Sequence, residues 1–281
     1  MQVIATPNTW GHTVYGDSHT LFYAKTMQEL FYQMKSVAGL RIVGGCTALN
    51  TLPEKALSVR AIPELRHIDK HERYVNFGSA VTLSDIIDVG SNRVPEIFLE
   101  AIQSIAHPFV RNCATIGGNI AAGTHGQTLI APLLALDAHI EMRNATKTIS
   151  VPLTKFNGVP DGMAATHIRV PLRDWNISVF RRIGPQHVIT PTSAAFAFLA
   201  ASEKRILTNI KIAFAGPITF RAIELENRLI SSRLPLSPKA VATARTLAIR
   251  QFDACAGEKE FPRVLRTQFI RIIQAALEQL T

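Results

Sequence analysis

Two pairs of adjacent glycines carry most of the chemistry this sequence offers. Gly44-Gly45 lies in VGGCTAL, residues 43–49, and Gly117-Gly118 in VRNCATIGGNIAAG, residues 110–123. Each follows a β-branched pair, Ile42-Val43 and Thr115-Ile116, and each is followed by a hydrogen-bonding residue, Thr47 and Asn119. Glycine admits positive φ, and its missing Cβ lets another group approach the backbone. Successive free N–H groups in such a turn form a concave anion site. One Gly-Gly pair alone reads first as a tight turn. Two of similar build, about seventy residues apart, make a split cradle for one diphosphate-bearing ligand.

Neither pair belongs to the best-known phosphate fingerprints. The sequence has no GxGxxG and no GxxxxGK[ST]. No Lys lies inside either pair, so backbone N–H groups and hydroxyls would hold the negative charge. That suits a cofactor bound for its redox ring better than a triphosphate whose bond is to be cut.

Other candidates have blander readings. Cys46, Cys113 and Cys255 are far apart and form no CxxC. A disulfide framework is not expected, which fits a reducing, cytoplasmic setting. An iron–sulfur cluster takes four thiolates, more than this chain has. Cys46 lies beside N–H groups able to lower its pKa, yet packing or backbone contact is expected of it rather than nucleophilic chemistry. His67 and His71, with Glu72, have a metal spacing if helical, but RHIDKHERY reads as a solvated polar loop with no third ligand in register. Arg263, Arg266 and Arg271 read as a solvated helix face, with partner docking as the alternative.

These residues need elements to position them. Thr26-Met27-Gln28-Glu29 is a capping box, so a helix runs to about Ser36 and Gly39 ends it. The strand LRIV, 40–43, then enters the first glycine pair. ALSVRAI (56–62) and RYVNFGSA (73–80) read as strands, and 82–89 and 94–106 as helices, the second with Pro95 in its first turn. TLIAPLLALDA holds a short helix. Strands follow at 139–142, 148–151 and 166–170. Beyond residue 173 come ISVFRRI, SAAFAFLAA and RILTNIKIAFA. The small–large alternation over 193–200 implies cover on both faces. Two helices close the chain, one capped by Ser237-Pro238, the other striped with Leu265, Phe269, Ile272, Ile273, Ala276, Leu277 and Leu280.

The bulk numbers frame this as an α+β globular chain. It has 281 residues, 47% hydrophobic and 18% charged, long enough for two domains. No apolar run approaches membrane-spanning length. Residues 1–19 show no secretory pattern and read as an N-terminal extension. The net charge of +9 points to anionic partners, but no basic block with interleaved aromatics argues for nucleic acid.

VGGCTAL, VRNCATIGGNIAAG and APLLALDA (131–138) together resemble the flavoprotein, or medium, subunit of molybdenum hydroxylases, the family of carbon monoxide dehydrogenase and bacterial xanthine dehydrogenase. The likeness runs from about Thr20 to the C-terminus and is strongest in the RN–ATIGGN–LLALDA block. It implies an FAD-binding domain of the PCMH/VAO type, two α+β subdomains over 20–173, and a smaller α+β domain over 174–281. It implies FAD as cofactor. Val43, Gly44, Gly45, Cys46 and Thr47 would wrap the diphosphate, and Thr115, Ile116, Gly117, Gly118 and Asn119 would make a second clamp. Arg111-Asn112 would brace that clamp, and FRRIG (180–184), with Arg182, would approach the flavin.

Two positions depart from the family pattern. Ala48 stands where Asp is usual, and Thr128, at the end of His125-Gly126-Gln127-Thr128, stands where an Asp contacts the flavin. A hydroxyl there can hydrogen-bond but brings no charge, so NAD use is not carried over. The resemblance implies two partners, a small subunit with two [2Fe–2S] clusters and a large molybdopterin subunit. Electrons would pass from molybdenum through the clusters and FAD to an external acceptor. The alternatives are a stand-alone flavin-dependent oxidoreductase and an assembly or binding protein that has lost FAD.

Overall fold

A computed structural model of the chain describes residues 12–15, 19–122, 128–185, 188–257 and 261–281. Their contacts divide them into two compact units that interleave along the sequence. The first unit has two sheets and the second has one, and each unit has its own apolar cluster.

The first unit comprises the described residues of Met1–Asp88, His107–Gly123 and His139–Val170. One of its sheets has the strand order His12–Tyr15, His19–Tyr23, Lys55–Ser58, Arg41–Val43. The first two strands pair antiparallel, and the other neighbours pair parallel. Part of the stretch read as an extension is thus an edge strand; residues 1–11 and 16–18 lie outside the described residues. The helix Met27–Ser36 begins where the capping box places it. The Thr26 hydroxyl accepts the Glu29 N–H at 3.1 Å, and the Glu29 carboxylate accepts the Lys25 N–H at 2.7 Å. Leu30 anchors this helix in a cluster with Ala24, Leu57, Val59, Ile62 and Leu65.

A second sheet of this unit has the order Ile68–Lys70, Tyr74–Gly78, Ala164–Pro171, His139–Arg143, Thr148–Pro152. RHIDKHERY, read as a loop, is mostly a hairpin, because Ile68–Lys70 pairs antiparallel with the strand after it. His71 Nε2 meets Asp69 at 2.7 Å, and among the described residues no group of three ligating side chains forms a metal site. The strand expected over 56–62 stops at Ser58, where Pro63 starts a short helix to Arg66.

The second unit comprises the described residues of Val89–Ala106, Thr124–Ala138 and Pro171–Thr281. Its sheet is an antiparallel meander of Ile177–Ile183, Ala194–Glu203, Ile206–Ala215 and Thr219–Arg221. One face places Phe196, Phe198 and Phe214 in a cluster with the helices Ile223–Leu229, Pro238–Ala256 and Arg263–Glu278. Phe252 stacks on Phe269 at 4.5 Å between ring centroids, and Phe214 meets Phe252 edge-on at 5.3 Å. Ala195, Ala197, Ala213 and Ala215 are buried on the opposite face, and the helix Ile130–Ala135 packs on these two strands. The alternation along 193–200 is therefore that of a strand covered twice, with small residues where a helix must come close.

Helix limits differ from the sequence reading in informative ways. The helix expected over 94–106 is Glu96–Gln103, with Pro95 as its N-cap. Ser237 caps Pro238–Ala256 by accepting the Ala240 N–H at 3.2 Å, as expected. Ile223–Leu229 was not expected; its seven residues are too few to show a period. Among the described residues, no helix is long and apolar enough to cross a membrane.

Candidate functional site

The first glycine pair leaves the C-terminal end of the strand Arg41–Val43. That strand pairs parallel with Lys55–Ser58, and the Val43 carbonyl accepts the Val59 N–H at 3.2 Å. Parallel partners end at the same sheet edge, so Arg60 comes up beside the loop. Its charge acts on Cys46. Nothing in the local pattern marks Arg60; the parallel register is what brings it there.

The second pair is not a turn. Ile116–Ala121 is a short helix, and Gly117-Gly118 occupy its first turn. Thr115 is the N-cap, its hydroxyl accepting the Gly118 N–H at 3.1 Å. Small residues between β-branched ones resemble a turn, but the Thr cap three residues before the N–H that donates to it starts a helix instead. The Ile116 N–H goes to the Val81 carbonyl at 3.0 Å and the Gly117 N–H to Ser79 at 2.9 Å. These amides are committed within the protein and form no anion nest.

The structure brings the two segments together. A Cβ on Gly44 would stand 2.6 Å from Thr115 Oγ1, and one on Gly45 only 1.7 Å from the Cys113 carbonyl oxygen. A Cβ on Gly117 would stand 2.6 Å from Ser79. None of these glycines has positive φ. Their missing side chains serve close approach, and the approaching group is the chain's own backbone. The residue in the left-handed region is Cys46, at φ 57°.

What remains for a ligand is asymmetric. Among the described residues, no acceptor takes the N–H of Gly44, Gly45, Cys46 or Thr47. Cys46 and Thr47 are exposed. On the other segment, Asn119 Oδ1 is buried and has no hydrogen-bond donor. A buried unsatisfied carbonyl is costly, and a bound polar ligand would relieve it. Cys46 is not activated: partial burial pushes its thiol up, with Arg60 opposing. Asn112 accepts a hydrogen bond from the Ser84 hydroxyl, tying the helix Pro108–Arg111 to its neighbour. A groove of about 540 Å³ lined by Arg66, His67 and Asp85 includes none of the glycine residues.

Two site candidates lie in the second unit. Thr128 is buried just ahead of the helix Ile130–Ala135; His125, Gly126 and Gln127 lie outside the described residues. Arg182 donates to the Ser104 carbonyl at 3.1 Å. Ser104 is the C-cap of Glu96–Gln103, so this guanidinium meets the negative end of a helix. Burial pushes its pKa down. Sequence reading missed the anchor of the LLALDA block. Asp137, at φ 56°, meets Lys211 at 3.0 Å and also pairs with Arg221. Arg221 in turn pairs with buried Glu226 at 2.5 Å, and Glu226 accepts the Ile212 N–H at 2.8 Å. An Asp ending an apolar helix was the available signal, but its partners lie over seventy residues away.

Known proteins resemble this chain in sequence and in fold. Probable aldehyde oxidase 3 of Oryza sativa subsp. japonica is 27% identical over 268 residues, covering 87% of this chain and 19% of that protein. The chain spans about a fifth of the length of the plant oxidases it matches. The 6-hydroxypseudooxynicotine dehydrogenase complex subunit alpha of Paenarthrobacter nicotinovorans is 26% identical over 245 residues, with 81% of each chain covered. A Cu,Mo-CO dehydrogenase, solved in its cyanide-inactivated form, superposes with a TM-score of 0.80 at 21% identity, over 95% of this chain and 99% of that one. It shares the fold, and the expected fold class is the observed one. Residues 17–173 match the model of the FAD binding domain in molybdopterin dehydrogenase. By that match over more than half its length, the chain belongs to this FAD-binding oxidoreductase family.

Proposed function

We propose that this chain is the flavin-bearing, electron-transferring subunit of a molybdenum hydroxylase. The observation that carries the proposal is that the segment with free amides at Gly44, Gly45, Cys46 and Thr47 packs, through Gly44 and Gly45, on Thr115 and Cys113 of the segment that holds the donorless Asn119 Oδ1. The amides would hold the FAD diphosphate, and Arg60 would add a positive charge beside them. A hydroxyl of FAD would supply the donor that Asn119 lacks. Val43 and Thr115 would set the two segments, with Ile116, Gly117 and Gly118 shaping the contact rather than binding through their amides. The family resemblance also proposes Thr128 and Arg182 as flavin contacts. FAD supplies the electron uptake and release when bound; the chain supplies position and electrostatics.

The proposed partners are a small subunit with two [2Fe–2S] clusters and a large molybdopterin subunit, with FAD passing electrons to an external acceptor. Three cysteines are too few to ligate a cluster here. Relatives named as a dehydrogenase complex subunit and as the medium chains of glyceraldehyde and carbon monoxide dehydrogenases support a divided enzyme. The test is purification of the chain alone and co-expressed with the products of neighbouring reading frames. A yellow chain that co-purifies with iron- and molybdenum-bearing partners is expected. A yellow chain that assembles with neither is a stand-alone flavoprotein. A colourless chain that takes up no added FAD has lost the cofactor, and the proposal fails.

A further inference from the structure

The helical layer of the second unit carries more positive charge than its own carboxylates neutralise. Glu224 pairs with Arg250 at 2.5 Å, Asp253 receives two hydrogen bonds from Arg266 at 2.7 Å each, and Glu278 takes the Gln274 amide at 2.6 Å. Glu226 is buried on Arg221. Arg228, Lys239, Arg245, Arg263 and Arg271 are exposed and have no ion pair among the described residues.

The excess has a focus. A groove of about 280 Å³ between the helices Ile223–Leu229 and Pro238–Ala256 is lined by Arg228, Thr243, Thr246, Leu247 and Arg250. Thr243 and Thr246 donate their hydroxyl protons to the Lys239 and Ala242 carbonyls, at 2.9 and 3.0 Å. Their oxygens keep lone pairs for an incoming N–H. The Arg250–Glu224 pair is mostly exposed and contributes little stability, so Arg250 exchanges its carboxylate at small cost. The groove thus offers two guanidinium forks, two acceptors and one apolar residue.

We infer that this groove docks an acidic segment of a partner protein, with Arg228 and Arg250 gripping its carboxylates. Guanidinium forks match carboxylates bidentately, and the threonine oxygens match backbone N–H groups. Nucleic acid fits less well. The exposed large apolar residues described in this unit are Val188, Ile189, Ile206, Ile223, Ile230 and Val264, with no aromatic among them to stack on a base. The inference does not depend on FAD being bound.

The test is fluorescence anisotropy of a labelled oligoglutamate peptide titrated with the full chain at low salt. The double reversal Arg228→Glu with Arg250→Glu is expected to weaken binding about tenfold or more. Lys35→Glu with Arg73→Glu, exposed sites of the first unit, removes the same net charge and is expected to change binding about twofold at most. Arg228→Gln with Arg250→Gln gives a milder change should the reversal misfold, and is expected to lie between. Equal losses for the groove and control pairs would overturn the inference, since net charge alone would then explain binding. So would tighter binding of an oligothymidylate of equal charge or of anionic vesicles, or no peptide binding at all.

Discussion

The Gly45 α-carbon faces the Cys113 carbonyl so closely that an added Cβ would lie 1.7 Å from the oxygen. No side chain fits there without moving backbone. Gly45→Ala is expected to cost about 3 kcal/mol or more, beyond ordinary overpacking. Gly118→Ala meets only the Thr115 hydroxyl, at 2.9 Å, and gains about 1 kcal/mol of helix propensity. It should stay within about 1 kcal/mol of the parent. Urea unfolding of the FAD-free chain compares the two. Equal destabilisation would mean the segments do not meet as described.

Asn119 separates stability from binding. Its Oδ1 is buried without a donor, so Asn119→Ala should stabilise the FAD-free chain by about 1 kcal/mol. The same change should weaken FAD binding about tenfold. Thermal melts with and without FAD, alongside a flavin-fluorescence titration, read both effects. Loss of stability with unchanged affinity would assign Asn119 a purely structural role.

Asp137 gives a pH dependence. Burial raises its pKa, but the hydrogen bond from Lys211 and the charges of Arg221 and Lys211 outweigh it, and the net shift is downward. A carboxyl depressed by folding stabilises above its unfolded pKa of about 3.9 and loses that contribution as pH falls through the folded value. The carboxylate is about a third exposed, so solvent screens part of the gain. Asp137→Asn should cost about 1–2 kcal/mol near neutral pH. The gap from the parent should close below pH of about 3.9. A gap unchanged down to acid conditions would remove the ion pairs as its cause.

Cys46 should react as an ordinary or sluggish thiol. Partial burial lifts its pKa above the usual value, with Arg60 pulling the other way. Alkylation by iodoacetamide, followed at the Cys46 peptide by mass spectrometry, should be slow near neutrality and climb past pH of about 8.5. Arg60→Ala should slow it further. Rapid labelling under mildly acidic conditions would show a thiolate that this loop does not support.

Much of this molecule was legible in its residues, and the losses have particular causes. ISVFRRI coincides with the strand Ile177–Ile183, and Ser237-Pro238 opens a helix as capping chemistry requires. The IGGN segment was misread as a turn because glycine lowers helix propensity; the Thr115 cap outweighs it. The hairpin at Ile68–Lys70 was missed because its polar residues suit an exposed strand edge as well as a loop.

By itself the sequence determined the family, the two glycine segments and the shortage of cysteines, since residue identity and spacing are what those depend on. Only the tertiary structure decided how the glycines are used. Whether an amide is free or spent depends on carbonyls such as Ser79 and Val81, distant in sequence and close in space. The same holds for Arg60 beside Cys46 and for Asp137 between Lys211 and Arg221: charge interactions act over distance in space, which residue order does not contain.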